Sequence, residues 1–130
     1  MTTTPVWVLK SVVLAMHDAQ LVEHGGPAGL RDEGLLDSAL ARPVNLRAYG
    51  DASLFDLAAA YAFGLVRNHP FIDANKRTAF LTTYVFLRLN GIRLTADEVD
   101  ASTAMLALAA GETSEGEFAK WLAEHSRSEG

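Results

Sequence analysis

The run His69-Pro70-Phe71-Ile72-Asp73-Ala74-Asn75-Lys76-Arg77 puts a titratable base, a hard oxygen ligand and two cations within a few residues of one another. An imidazole titrates near neutrality and can take the proton of an incoming hydroxyl, turning it into a nucleophile. A lone carboxylate such as Asp73 is how Mg²⁺ is usually held where substrate phosphates complete the coordination shell. Pro70 disfavours helix at His69, and Asn75 suits the start of a following helix. Lys76 and Arg77 then fall in a first turn, where unpaired N–H groups and the positive end of the helix dipole already favour an anion. Cations stabilise the other end of a helix, so this placement costs a few tenths of a kcal/mol or more unless a polyanion binds. The ligand this chemistry describes is ATP with Mg²⁺.

Taken singly, each residue has a plainer explanation: a histidine at a helix end, an aspartate cap, a solvated Lys-Arg pair. Their concentration in a polar run between two core-like helices is what makes the functional reading the better one. His17, His24 and His125 are read as structural. Trp7, Trp121, Met16, Met105, Tyr61 and Tyr84 are read as packing residues, and Phe71 as the anchor of the loop.

Helices must carry this loop. Val12, Val13, Met16 and Ala19 repeat at helical spacing up to the break at Gly25-Gly26-Pro27. Asp32 can cap a second helix over Glu33 to Arg42, stopped by Pro43, with Leu35, Leu36 and Leu40 inward and an irregular stretch from Val44 to Ala52 after it. Ser53 and Asp56 resemble a capping pair for a third helix ending near Asn68, which carries Leu57, Tyr61 and Leu65. The fourth spans Asn75 to Asn90, with Gly91 as its left-handed stop. Thr95 with Glu98, and Ser114 with Glu117, start two more that end near Ala110 and Ser126. The expected fold is all-α, a compact six-helix bundle in a single domain over residues 1–130, with at most one short β-hairpin.

Bulk composition narrows the class further. The 130 residues are 49% hydrophobic and 21% charged, as in a chain that buries a core. A net charge of −5 argues against a broad nucleic-acid surface, so any phosphate binding must be local. Cysteine is absent, which removes disulfides, thiolate nucleophiles and Cys-ligated metals. No apolar run approaches membrane-spanning length and the N-terminus lacks a signal-peptide pattern, so the expected location is cytoplasmic, with no membrane contact.

His69, Phe71, Asp73, Asn75 and Arg77 together resemble the signature of the Fic/Doc family. With each residue type at about 5%, five fixed positions recur by chance in such a chain with a probability on the order of 10⁻⁴ or less. The similarity continues through His17-Asp18-Ala19, Gly25-Gly26, the region from Gly29 to Leu40, Arg77-Thr78-Ala79 and Phe86-Leu87-Arg88, and is closest to the death-on-curing (Doc) toxins. The resemblance implies a Fic/Doc bundle with a short β-hairpin flap at Val44 to Ala52, which would align the target's backbone and carry Arg47 and Tyr49. It implies His69 as the residue activating the target hydroxyl, Asp73 for Mg²⁺, and Asn75, Lys76 and Arg77 for phosphate. Most Fic proteins have Gly where Lys76 stands and transfer AMP; Doc toxins have Lys there and phosphorylate. The implied function is a toxin with ATP and Mg²⁺ as cofactors, phosphorylating a threonine of elongation factor Tu and blocking translation, with AMP transfer as the alternative. The implied partners are that protein substrate and an antitoxin whose C-terminal helix enters an apolar groove. Thr113 to Glu117 approaches the family's inhibitory helix pattern, but Phe118 departs from it.

Overall fold

The structure, a computed structural model, describes residues 4–129. Six helices follow one another: α1 (Lys10–His24), α2 (Glu33–Ala48), α3 (Leu54–Asn68), α4 (Asn75–Leu89), α5 (Glu98–Ala109) and α6 (Glu115–Glu124). Two short strands, β1 (Ile92–Leu94) and β2 (Ser126–Ser128), pair antiparallel with Arg93 opposite Arg127. The all-α reading with a minor β element is therefore the observed architecture. Its strands lie after α4 and at the chain end, and not at Val44 to Ala52.

The central element is α3. Its side chains from Leu57 to Ala62, and again Leu65, are buried almost completely, as a helix apolar nearly all round requires. Ser53 and Asp56 form the expected reciprocal cap, at 3.0 and 3.1 Å. The N-terminal segment is tied to this core where the Val8 N–H donates to the Tyr61 hydroxyl. Burial there pushes the Tyr61 phenol above its ordinary pKa.

The second helix departs from expectation. It does not stop at Arg42 but runs through Pro43 to Ala48, so the stretch from Val44 to Ala48 is helical and no hairpin flap forms there. Proline lacks the N–H that would bond to the carbonyl four residues back, at Ala39. That region is where α3 comes closest: a Cβ built on Gly64 would lie 3.2 Å from both the Ala39 Cα and its carbonyl oxygen. Pro43, Ala39 and Leu36 are buried on this face, and tertiary packing outweighs the local break. Asp32 caps the start of α2 as expected, accepting from the Leu35 N–H at 3.0 Å. Lys10 joins α1 to α2 through Asp37 and Glu33, whose carboxylates raise its pKa.

Two boundaries also differ in cause from the sequence reading. The cap of α5 is Asp97, accepting from the Asp100 N–H, and not Thr95 with Glu98. Thr95 is instead held at the end of β1, where its N–H and hydroxyl both donate to the His125 carbonyl. The start of α4 is capped by no side chain: Ala74 is the cap residue, in the left-handed region, and Asn75 lies inside the helix.

Candidate functional site

The loop from His69 to Ala74 joins the two core helices and is bracketed by backbone strain. His69 (φ 50) and Ala74 (φ 64) are the non-glycine residues with positive φ among those described. Each such residue costs of order 1–3 kcal/mol and persists only where surroundings over-determine it. Here they do.

Four side chains hold the loop. Asn75 is buried and uses its amide as a clamp: its Oδ1 accepts from the Phe71 N–H and its Nδ2 donates to the Phe71 carbonyl, both at 2.9 Å. The Phe71 ring is 1% exposed and stacks on the ring of His17, with centroids 3.8 Å apart and planes at 11°. His17 Nε2 lies 2.9 Å from the Asp73 carbonyl oxygen, and because a carbonyl can only accept, that nitrogen carries the proton. Arg31 donates from Nε to the His69 carbonyl at 2.7 Å and from Nη2 to the Asn68 carbonyl at 2.8 Å. The Arg31 and Asp32 N–H groups both reach the Pro70 carbonyl, the Ile72 N–H reaches the Gly29 carbonyl, and Leu30 forms a β-bridge with Phe71. The segment before α2 thus adds a short strand-like edge to the loop.

What the loop presents is an open cleft of about 220 Å³ lined by His69, Asp73, Ala74, Asn75, Lys76 and Arg77. Every residue singled out for chemistry in the sequence lines it. His69, Lys76 and Arg77 are exposed and Asp73 is half-buried. The N–H groups of Asn75, Lys76 and Arg77 have no acceptor among the described residues; Thr78 is the first whose N–H bonds back along α4, to Ala74 at 3.0 Å. The first turn of α4 holds no acidic residue, and neither Lys76 nor Arg77 has an ion-pair partner among the described residues. Three unmet donors, a helix dipole and two unpaired cations form an arrangement whose chemistry suits an anion, local on an acidic chain. Asn75 offers its backbone N–H to this turn, while both ends of its side-chain amide are already engaged by Phe71.

Asp73 completes the cleft. Its Oδ1 accepts from the Ala74 N–H at 2.8 Å, while Oδ2 faces Gly26, where a Cβ would collide with it. No group of three acidic or histidine ligands that could cage a metal occurs among the described residues. A divalent ion here would therefore have one carboxylate and would need ligand phosphates for the rest, an arrangement Mg²⁺ accepts. The donor set fits Mg²⁺ arriving with a nucleotide.

A model of the Fic/DOC family matches residues 7–87, from before α1 to late in α4. The chain belongs to the Fic/DOC family. It is 35% identical over 103 residues to the protein kinase doc of Escherichia phage P1, covering 78% of this chain and 81% of that one. It is also 45% identical over 89 residues to the toxin Doc of Mycolicibacterium smegmatis, covering 65% and 68%. The matched span holds the Fic/DOC motif loop together with its braces at His17, Gly26 and Arg31. His17 is structural, as its sequence reading has it, and the structure adds that it braces this loop; Gly26 and Arg31 are residues that the sequence reading leaves without a role at the site. The sequence signal available for His17 was its i+4 spacing from buried Val13, which marks it as an inward-facing polar group in need of a partner.

Among the described residues no helix is long and apolar enough to cross a membrane.

Proposed function

We propose that this chain is the toxin of a toxin–antitoxin pair and a protein kinase of the Fic/DOC family. It transfers the γ-phosphoryl group of ATP to a protein hydroxyl in the cytoplasm, with a threonine of elongation factor Tu as the expected target and arrested translation as the outcome. The observation that carries this reading is the cleft itself: an imidazole with no hydrogen-bonded ring nitrogen among the described residues lines the same cleft as a helix N-terminus bearing two cations without ion-pair partners. The kinase named among the relatives supports the reaction type.

In this reading His69 accepts the proton of the target hydroxyl as its oxygen bonds to the γ-phosphorus, and the bond from that phosphorus to the bridging oxygen breaks to release ADP. No ring nitrogen of His69 is engaged by a hydrogen bond within the described residues, so the imidazole is available at the cleft. Asp73 would hold Mg²⁺ on the nucleotide, and the ion's chemistry is to offset phosphate charge. Lys76, Arg77 and the α4 N–H groups bind the phosphates and meet the charge that develops during transfer. Lys76 occupies the position where the AMP-transferring members have glycine, and its side chain reduces the space for the other nucleotide orientation. AMP transfer, with the α-phosphorus in line and pyrophosphate leaving, is the competing outcome.

Exposed apolar side chains on and before α1, including Leu9 and Val22, support an antitoxin helix as the regulatory partner. The function is tested by replacing His69 with alanine. Growth arrest should vanish while helicity and melting temperature stay near wild type, since His69 is exposed and its ring makes no hydrogen bond within the described residues. Undiminished arrest at equal expression would end the assignment of His69 as the base.

A further inference from the structure

We propose that Arg31 is a positioning residue for this reaction, fixing His69 in the backbone conformation that turns its ring into the cleft. The inference rests on the reading of His69 as the base. Arg31 is the meeting point of three consecutive carbonyls: its Nη2 takes Asn68, its Nε takes His69, and its own N–H takes Pro70 at 2.7 Å. No other residue described contacts the motif loop in this way.

The need for such a contact follows from the local geometry. His69 ends α3 with φ 50 and ψ 55, and its N–H bonds to the Leu65 carbonyl at 3.2 Å. One long hydrogen bond does not hold a β-carbon-bearing residue in the left-handed region, where it pays a steric penalty. Without a second anchor the His69 peptide would relax toward negative φ, and a rotation about φ moves Cβ and with it the whole imidazole. Arg31 supplies that anchor on the carbonyl side. A guanidinium does so with a planar fork that spans two neighbouring oxygens, whereas an ammonium is a point donor that cannot reproduce both directions. The main-chain bonds from Arg31 and Asp32 to the Pro70 carbonyl then fix the next peptide along the loop. Arg31 touches neither nucleotide nor target in this account: it lines no part of the cleft and its donors are directed at the protein backbone.

The experiment compares wild type, Arg31→Lys, Arg31→Gln and Asn90→Ala. Asn90 secures the opposite end of α4 through the Phe86 and Val6 carbonyls and serves as a stability control away from the cleft. Two readouts are taken: His69 Cα and Cβ chemical shifts, which report the backbone region, and kcat with KM for ATP in Mg²⁺ for phosphoryl transfer. In Arg31→Gln the His69 shifts should leave left-handed values and kcat should fall on the order of tenfold or more, as displacement of a reacting group by about 1 Å produces. KM for ATP should change by less than about threefold, because the phosphate site on α4 is untouched. Arg31→Lys should recover part of kcat. Asn90→Ala should lose melting temperature with kcat per folded molecule intact. Unchanged His69 shifts in Arg31→Gln, or a kcat that falls only in step with the folded fraction, would overturn the proposal. Full activity in His69→Ala would overturn the base assignment, and Arg31's catalytic relevance with it. The shifts would still differ between wild type and Arg31→Gln, which separates that failure from a failure of the geometry.

Discussion

Replacing Gly26 with alanine should disable the cation side of the cleft from outside the motif. Gly26 has φ +116, and a Cβ there would collide with the Asp73 Oδ2 and sit 3.4 Å from its Cγ. Its neighbour Gly25 has φ +77 and nothing within 4 Å of a built Cβ. Both substitutions therefore incur backbone strain of ~1–3 kcal/mol, but only the one at position 26 also displaces a carboxylate. For a chain of this length ~1 kcal/mol corresponds to roughly 4 °C in melting temperature, so both variants should melt below wild type, Gly26→Ala by the larger amount. Displacement of Asp73 forfeits its hydrogen bond from the Ala74 N–H and, in the proposed function, its hold on Mg²⁺. A charge-assisted contact of this kind is worth ~1.5–3 kcal/mol, or about tenfold to a hundredfold in affinity. Calorimetric titration with ATP in Mg²⁺ and in excess chelator isolates the effect. Gly26→Ala should lose at least tenfold in Mg²⁺ and little in chelator, as Asp73→Asn should, while Gly25→Ala binds like wild type in both. Equal Mg²⁺-dependent affinity for Gly25→Ala and Gly26→Ala would refute the reasoning, since the contact between Gly26 and Asp73 would then have no bearing on the site.

Asn75→Ala leaves a buried N–H and carbonyl of Phe71 unpaired and should cost ~2–4 kcal/mol, read by chemical denaturation; a loss below ~1 kcal/mol would mean the clamp is unimportant to the loop. Ala74→Gly removes the left-handed penalty at a position whose side chain is only a methyl, so unfolding should become harder by up to ~1 kcal/mol. A destabilised Ala74→Gly would show that the buried methyl outweighs the strain.

The motif and most helices were legible because their signals are local. The pairs Ser53–Asp56 and Ser114–Glu117 formed the reciprocal caps expected of them, and Gly91 stops α4 with φ +81. The errors arise where a distant partner decides. Pro43 reads as a helix stop, yet the close approach of Gly64 to Ala39 makes continued helix the better-packed state. Thr95 and Glu98 satisfy a capping pattern, but the β1 end claims Thr95 through His125 and leaves the cap to Asp97. Asn75 opens α4 as expected, and its side-chain amide turns back onto Phe71, a local contact that no capping pattern announces. The braces at His17, Gly26 and Arg31 lie 38 or more residues from their partners in the loop, a separation at which no spacing rule operates.

The measurement that bears most directly on the reaction is the fate of label from ATP. Wild-type protein, its proposed target and Mg²⁺ are incubated with γ-labelled or α-labelled ATP, and the target is weighed by mass spectrometry, in whole lysate if elongation factor Tu takes up no label. Label should pass from the γ position alone, and Lys76→Gly should lower that transfer on the order of a hundredfold, the effect of removing one positioned donor worth ~3 kcal/mol. Transfer of α-label, with an adduct of the mass of AMP on the target, would contradict the kinase assignment and establish AMP transfer in its place.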